Sequence, residues 1–286
     1  MALGTGQLSL GDIAGEYGGS APHALSEYYN KGNAPGSGEI QIHADFQGTS
    51  NVFTFTISSS ASNVNLRSAA VSAGWGQSSP VEATINSGVV LSASSTSNNG
   101  LTIDGSWNGL TLINNGTIKG HGGNGGNGAT GAATGGAGGN GSPAVNTSVT
   151  MTFDNNGTIK GGGGGGGGSG AYDNGQPTAG SGGGGGAPGG SGGSRGGGPY
   201  SSLTGANGSS ASGDSGGAGG VGSNSWNHDG GNGGNLGSGG SSGSSGASQY
   251  GGSVSGGGAG GQAGYYIYGN SYVTWQSTGT RAGRSG

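Results

Sequence analysis

Apolar and polar residues alternate along several short stretches of the chain, and each such stretch predicts a half-buried β-strand. Val52-Phe53-Thr54-Phe55-Thr56-Ile57 is the first. Val89-Val90-Leu91 and Leu101-Thr102-Ile103 follow, set between Ser/Asn/Gly clusters. Leu110-Thr111-Leu112-Ile113 then runs into Asn115-Gly116 and on to Thr117-Ile118. Asn-Gly between two apolar runs predicts a hairpin, because a type I′ turn needs positive φ at both central residues. The unit returns 41 residues later as Met151-Thr152-Phe153-Asp154-Asn155-Asn156-Gly157-Thr158-Ile159, and Asn114–Gly120 is identical to Asn155–Gly161. Each copy opens into a glycine tract, so the two read as β caps from which the tracts emerge.

Between and beyond these strands the pattern gives way to glycine. Residues 120–264 hold 61 of the 82 glycines, and 28% of the 286 residues are hydrophobic. That is well below the ~45–50% apolar share of an ordinary domain, so an oily core is excluded for most of the chain. Four zones follow: a mixed segment at 1–50, a β-strand spacer or cap at 51–119, a glycine zone at 120–264 with a β insertion near 144–159, and a closing strand and tail at 265–286.

The glycine zone has a period. From Gly231 to Gly264 in steps of three, the only non-glycines are Gln249 and Ser255. Gly122, Gly125, Gly128 and Gly131 keep the same step, as do Gly213, Gly216, Gly219 and Gly222. A polyproline-II-type helix has three residues per turn and no internal hydrogen bonds, so glycine at every third position leaves one bare face for a neighbouring backbone. Collagen follows the same rule but needs about 15–20% proline, and seven prolines are too few. Gly161 to Gly168 is bare on all sides and could be surrounded by other tracts, which would satisfy its N–H and C=O groups laterally. The expected fold is therefore an all-β spacer plus a polyglycine type II helix sandwich, with essentially no α-helix beyond short N-terminal turns. The alternative is disorder, which composition alone favours. Ordering costs roughly 1–2 kcal/mol per residue and a net hydrogen bond returns about 0.5–1.5, so only a cooperative lattice anchored on a folded cap holds.

The aromatic residues then acquire meaning. Between 154 and 264 each lies in a break between tracts: Tyr172, Asp173 and Asn174 in one, Tyr200 and Leu203 in the next, Trp226, Asn227, His228 and Asp229 in a third, Gln249 and Tyr250 in a fourth. If the tracts are rods, the breaks are loops at rod ends, where binding residues concentrate. Tyr and Trp beside Ser, Gly and Asn is a paratope-like composition. These eleven residues are the expected binding surface, against the alternative that each aromatic seals the end of the stack.

Catalysis finds no support, and the chain is not expected to be an enzyme. His23, His43, His121 and His228 stand far apart, His228-Asp229 has no recognisable serine nucleophile, and nothing brings Asp104 to Asp154. GxGxxG strings lack a βαβ context. Gly122–Thr130 brushes a calcium-binding nonapeptide, but Asn replaces the ligand Asp and Ala129 the required aliphatic residue. No metal or cofactor is expected. Seven basic and eleven acidic residues give a net charge of -4 without a basic patch, so no nucleic acid partner is expected. There is no cysteine to form a disulfide. The start MALGTGQLSL lacks the features of a signal peptide, and no apolar run approaches the roughly eighteen residues of a membrane span. Synthesis in a cytoplasm with no membrane insertion fits these features.

Thr111–Gly120 followed by His121 and Gly-Gly-Asn repeats resembles the entry to the glycine-rich domain of bacteriophage tail-fibre adhesins. Gly264-Tyr265-Tyr266-Ile267-Tyr268-Gly269-Asn270-Ser271-Tyr272-Val273-Thr274-Trp275 is similar to their closing strand. Gln7–Ile13 and Gly38–Phe46 resemble a short module that opens many tail proteins. The resemblance implies a polyglycine-II sandwich at the tip of a virion tail fibre. Residues 1–50 would attach to other tail or fibre subunits, and the loops would touch a host outer-membrane protein or surface polysaccharide. Two other functions suit the composition. One is an ice-binding protein, of whose flat Ala/Thr face Gly128–Thr134 is a fragment; the other is a purely structural tail component.

Overall fold

A strand that alternates buries one face only if another layer covers it, and this chain supplies that layer by winding on itself. The computed structural model describes residues 3–286 apart from 20, 49–50, 174–177, 198–204, 223–227 and 247–252. Two short helices, α1 (Leu10–Tyr17) and α2 (Ile42–Phe46), open the chain. Ser9 caps α1 in a capping box with Asp12. The helices enclose a small cluster of Ile13, Tyr28, Ala34 and Phe46.

Strands β1 (Phe53–Ile57), β2 (Ala61–Ser62) and β3 (Val64–Asn65) make a first rung. Helix α3 (Leu66–Ser72), which the alternation did not signal, fills the corner after it and buries Leu66 and Ala70. The second rung is β4 (Val81–Ile85), β5 (Val90–Ser92) and β6 (Leu101–Ile103), and the third β7 (Leu110–Asn114), β8 (Thr117–Lys119) and β9 (Val145–Thr147). The fourth begins with β10 (Met151–Asn155) and β11 (Thr158–Lys160). A glycine excursion carrying the short strands β12 (Tyr172–Asp173) and β13 (Ser253–Val254) intervenes before β14 (Tyr265–Tyr268) closes it. β15 (Val273–Ser277), β16 (Thr280–Ala282) and β17 (Arg284–Ser285) form the fifth rung.

Each rung gives one strand to each of three five-stranded sheets, β1-β4-β7-β10-β15, β2-β5-β8-β11-β16 and β3-β6-β9-β14-β17. All pairings in them are parallel. The chain is thus a three-sided solenoid. Inward residues stack in columns, such as Phe55–Ala83–Leu112–Phe153–Trp275, where Phe153 and Trp275 lie face to face at 4.9 Å.

The hairpin expected at Asn115-Gly116 does not form. β7 and β8 belong to different sheets, and neither Asn115 nor Gly116 has positive φ. The segment is a corner. The repeated Asn-Asn-Gly-Thr-Ile-Lys-Gly sequences lie one above the other in register, Asn114 on Asn155 and Ile118 on Ile159. Asn114 and Asn155 are fully buried. Asn114 Nδ2 donates to Asn155 Oδ1 at 2.7 Å, and Asn155 Nδ2 to the Thr278 carbonyl at 2.7 Å. A side-chain ladder of this kind satisfies the amides where the strands turn away from one another. At Gly116 a Cβ would stand 2.5 Å from the Val89 carbonyl oxygen, which explains the glycine.

Both glycine excursions leave from the corner between the second and third sheets, after β8 and after β11. They form ten extended tracts: 120–129, 135–142, 161–170, 180–187, 190–197, 205–212, 215–222, 228–235, 238–246 and 255–264. Hydrogen bonds run sideways and rotate with a step of three. In the third tract Gly165 and Gly168 donate to Gly139 and Gly136, Gly163 and Gly166 to Ala187 and Gly184, and Gly164 and Gly167 to Ser238 and Ser241. The same tract accepts from Gly123 and Gly126, from Gly231 and Gly234, and from Gly258 and Gly261. It is therefore ringed by six others, the first, second, fourth, eighth, ninth and tenth. The fourth tract is ringed likewise by the first, third, fifth, sixth, seventh and eighth. Two inner tracts and eight outer ones make a core of peptide groups. A Cβ on Gly164 would stand 2.0 Å from the Gly261 carbonyl oxygen, and most inner glycines are equally confined.

Candidate functional site

Successive tracts run out from the solenoid and back. Bonds between the first and second tracts are antiparallel (Gly136 to Asn127, Gly139 to Asn124), as are those between the third and fourth and between the ninth and tenth. The turns at 187–190, 212–215 and 235–238 consequently lie at the solenoid end. Lys119 on β8 bonds Asp214 there at 3.1 Å, and Gly237 donates to Gly161. The connections after 170, 197, 222 and 246 lie at the opposite end, together with the turn at 130–134.

Serine closes the lattice at that outer end. Ser169 Oγ donates to the His228 carbonyl at 2.7 Å and accepts from Ser181 N–H at 2.8 Å, and Ser181 Oγ accepts from Ala206 N–H at 3.2 Å. Ser255 Oγ both donates to and accepts from the Ala171 backbone, at 2.9 and 2.8 Å. Ser169, Ser181 and Ser255 are buried. A hydroxyl can give and take one bond each, so one serine replaces the neighbour that the ending lattice lacks. These bonds tie the ends of the third, fourth, sixth, eighth and tenth tracts into one layer.

His228, expected on the binding surface, is only 2% exposed, with Nδ1 3.2 Å from the Gly170 carbonyl oxygen. Burial pushes its pKa below the ordinary value of 6.5, opposed by the Gly170 carbonyl and by Asp229. The ring is buried where the eighth tract begins. Asp229 is exposed, and its Oδ1 accepts from Gly222 N–H at 2.9 Å, clasping the base of the third aromatic loop. Tyr172 and Asp173 pair antiparallel with Val254 and Ser253, which joins the bases of the first and fourth loops. Asn174, Tyr200, Leu203, Trp226, Asn227, Gln249 and Tyr250 lie outside the described residues.

Three features of the lattice and of its outer end escaped the sequence reading. The turn 130–134 joins it through the Thr130–Ala179 bridge, with Ala132, Ala133 and Thr134 exposed. Val221 and Val254 are exposed apolar residues there, at 69% and 52%. Along the tract flanks, Asn124, Asn127 and Thr130 accept from the N–H groups of Ser191, Ser194 and Gly197, at 3.0, 3.0 and 2.9 Å. Asp229, Asn232 and Asn235 do the same for Gly222, Gly219 and Gly216. The Gly-Gly-Asn repeat was the available signal: two bare positions face the lattice, and the third caps a neighbour.

Among the described residues, no group of three or more His, Asp or Glu side chains could hold a metal ion, and no helix is long and apolar enough to cross a membrane.

Residues 52–286 match the family described as phage tail fibre adhesin Gp38. No curated protein sequence matches the chain. Among solved structures, the gp37–gp38 adhesin tip complex of the bacteriophage S16 long tail fibre contains a chain with the same fold. The TM-score is 0.54 at 24% identity, over 98% of this chain and 94% of that one.

Proposed function

The chain belongs to the phage tail fibre adhesin Gp38 family, and on that premise we propose that its outer-end loops grip a host outer-membrane protein from a polyglycine-II scaffold. As a member of that family it is a non-catalytic component of the virion tail tip that recognises a host surface receptor. The finer reading starts from the lattice. Bonding that rotates through three neighbours with a step of three, six neighbours around each inner tract, and no room for a Cβ are the features expected of packed polyglycine-II helices.

One observation carries the assignment of the loops. Every tract connection that bears an aromatic residue (Tyr172, Tyr200, Trp226, Tyr250) joins tract ends far from the solenoid. The connections at 187–190, 212–215 and 235–238, next to the solenoid, bear none. A structural filler would have no reason to sort its aromatics by end. Large aromatic anchors flanked by small polar residues suit a protein receptor's uneven surface. Asp173, Asn174, Leu203, Asn227, Asp229, Gln249 and the exposed Val221 and Val254 complete the surface in this reading. The solved relative comes from a gp37–gp38 adhesin tip complex of a long tail fibre. By analogy, residues 1–50 of this chain attach it to a fibre subunit.

The test is adsorption. Replacing Tyr172, Tyr200, Trp226 and Tyr250 together with Ala should abolish binding to host cells while circular dichroism and melting stay unchanged. Adsorption equal to wild type would remove the loops from the mechanism. Binding to protein-free lipopolysaccharide vesicles, but not to proteoliposomes of outer-membrane proteins, would replace the protein receptor with a glycan.

A further inference from the structure

We propose that the last rung of the solenoid, β15-β16-β17 with β14 beside it, carries a second binding site, for a phosphate-bearing sugar of the host surface. The proposal rests on the adhesin reading only for the kind of surface that is met, and the outer-end loops have no part in it.

A solenoid that stops leaves core side chains without a covering rung, and part of this end answers that need. In the inward column Ala61–Leu91–Ile118–Ile159–Arg281 the fifth position is an arginine. Its guanidinium lies 4.8 Å over the Trp275 ring and 5.1 Å over Tyr266, while Arg284 covers Tyr265 at 4.2 Å. Successive residues of β14 thus lie one under each guanidinium.

Sealing does not account for the rest. Among the described residues, the exposed aromatic side chains are Tyr268 at 52% and Tyr272 at 44%, and both are here. Tyr268 meets Tyr265 edge-on at 5.2 Å, and Tyr272 ends the turn that leads into β15. Charge is the second excess. After Asp229 the chain contains no Asp or Glu, and its two basic residues there are Arg281 and Arg284. Among the described residues the ion pairs are His23–Glu27 and Lys119–Asp214, so neither arginine has a carboxylate partner. Asp154, on the strand beside β15, is taken by Ser277 Oγ at 2.5 Å. The Gly286 oxygen accepts from the N–H groups of Gly269 and Asn270, at 2.9 and 2.6 Å. Arg284 is partly committed: Nε donates to the Ala263 carbonyl at 2.7 Å and Nη1 to Gln262 Oε1. Arg281 is exposed and spends one N–H, at 3.5 Å, on the Tyr266 hydroxyl. Its other donors face no acceptor.

The ligand follows from charge and size. A guanidinium held flat on aromatic rings presents its edge ready-made, and that edge matches two phosphate oxygens at once. The exposed phenol rings add apolar faces with a hydroxyl at the rim, which suit the C–H face and hydroxyls of a sugar. The longest side of the rung is a five-residue strand, about 17 Å. A triangle on that side falls well short of the ~800 Å² that each partner buries in a stable protein interface. Two guanidiniums are also too few for a nucleic acid strand, whose affinity accumulates phosphate by phosphate. A second copy set end to end would bring Arg281 against Arg281. A small ring carrying phosphate meets none of these objections.

Calorimetric titration tests the site with the deacylated, phosphorylated core oligosaccharide of host lipopolysaccharide and with the same sugar stripped of phosphate. Wild type and the Tyr172, Tyr200, Trp226 and Tyr250 quadruple Ala variant should bind the phosphorylated sugar equally. Both should bind the stripped sugar at least about tenfold more weakly. Arg281→Gln should weaken the phosphorylated sugar at least about tenfold. Tyr272→Ala, which lies outside the core cluster, should weaken it about threefold at unchanged melting temperature. Equal affinity for the two sugars, or wild-type affinity in both single variants, overturns the proposal. Inorganic phosphate that binds as tightly as the sugar overturns it in favour of a bare anion site, and an oligothymidylate that binds more tightly does so in favour of nucleic acid. Failure of the loop reading looks different: the quadruple variant then adsorbs to host cells like wild type while these titrations stand.

Discussion

A single added carbon at Gly164 measures how far peptide groups alone hold the glycine zone together. In Gly164→Ala the new Cβ stands 2.0 Å from the Gly261 carbonyl oxygen and 2.4 Å from its carbon, against the 3.4 Å of ordinary contact. The tenth tract must retreat by the difference, about 1.4 Å, or the third must move as far. The nearest bond between those tracts, Gly261 N–H to Gly165 O, is 2.7 Å long and does not survive such a shift. Its loss strands one buried donor and one buried acceptor, each at about 1–3 kcal/mol, so a strictly local response costs roughly 2–6 kcal/mol. If the tract moves as a body, the bonds from Gly258 to Gly168 and from Gly264 to Gly162 go too. A whole domain's stability is about 5–15 kcal/mol, so Gly164→Ala should unfold much of the zone and Gly164→Val all of it. The internal control is Gly256→Ala, whose Cβ would meet nothing nearer than Thr134 Cγ2 at 3.9 Å, with no unusual φ. It should stay within about 0.5 kcal/mol of wild type. Gly139→Ala, with Asn124 N at 3.2 Å, should fall between. Denaturant titration and limited proteolysis rank the three. Equal stability of Gly164→Ala and Gly256→Ala would refute a core made of touching backbones.

Asn155→Ala removes the acceptor for the buried Asn114 amide, and should destabilise the solenoid by about 1–3 kcal/mol in denaturant titration. Because the His228 pKa is depressed by burial, the unfolded outer end binds more protons than the folded one below pH 6.5. Its stability should therefore be full above that value and decline as pH falls through the depressed pKa. Hydrogen exchange at Ser169 to Ala171 reads this, and a flat profile between pH 7 and 5 would contradict it. Asn127→Ala bares the N–H of Ser194 at the lattice flank. It should cost no more than about 0.5–1.5 kcal/mol, as an exposed single bond does.

Alternation located β1, β5 to β8, β10 and β11, though Val81–Ile85 and the shorter strands went unnamed. Period two is a property of one strand alone. Who pairs with whom is not. Asn115-Gly116 carries the strongest short hairpin signal, yet the corner it makes is fixed by two neighbours that sequence leaves unseen: the buried Asn114–Asn155 ladder and the Val89 carbonyl that excludes a side chain. The identity of Asn114–Gly120 with Asn155–Gly161 was legible as a repeat. Its cause, one winding of the solenoid interrupted by a glycine excursion, appears only with the register Thr117 to Thr158. Threefold glycine spacing was visible for the same reason as alternation. The role of the third residue was not: Asn124 and Asn127 were weighed against calcium ligation, whereas they cap backbone N–H groups of a tract 67 residues further on. The burial of His228 was hidden for a like reason, because a histidine in a loop sequence says nothing about the serine whose hydroxyl bonds its carbonyl.

Those two kinds of core explain how the outer end could carry the proposed recognition surface. In the solenoid, inward side chains must match in volume along each column, so a change at Phe153 is felt at Leu112 and Trp275. In the tracts the interior consists of groups that every residue possesses, and the one demand is that no Cβ intrude. Flank residues such as Asn232 and Asn235 answer for backbone groups at the edge, and the buried serines answer for those at the end. On the proposed reading, a loop at the outer end can change its length and chemistry so long as the Asp229 clasp and the Tyr172–Val254 pairing at its base remain. The turns beside the solenoid lack that freedom: Asp214 is bound to Lys119, and a Cβ on Gly237 would press within 2.6 Å of Ala282. The end that can vary is the end that carries the aromatics.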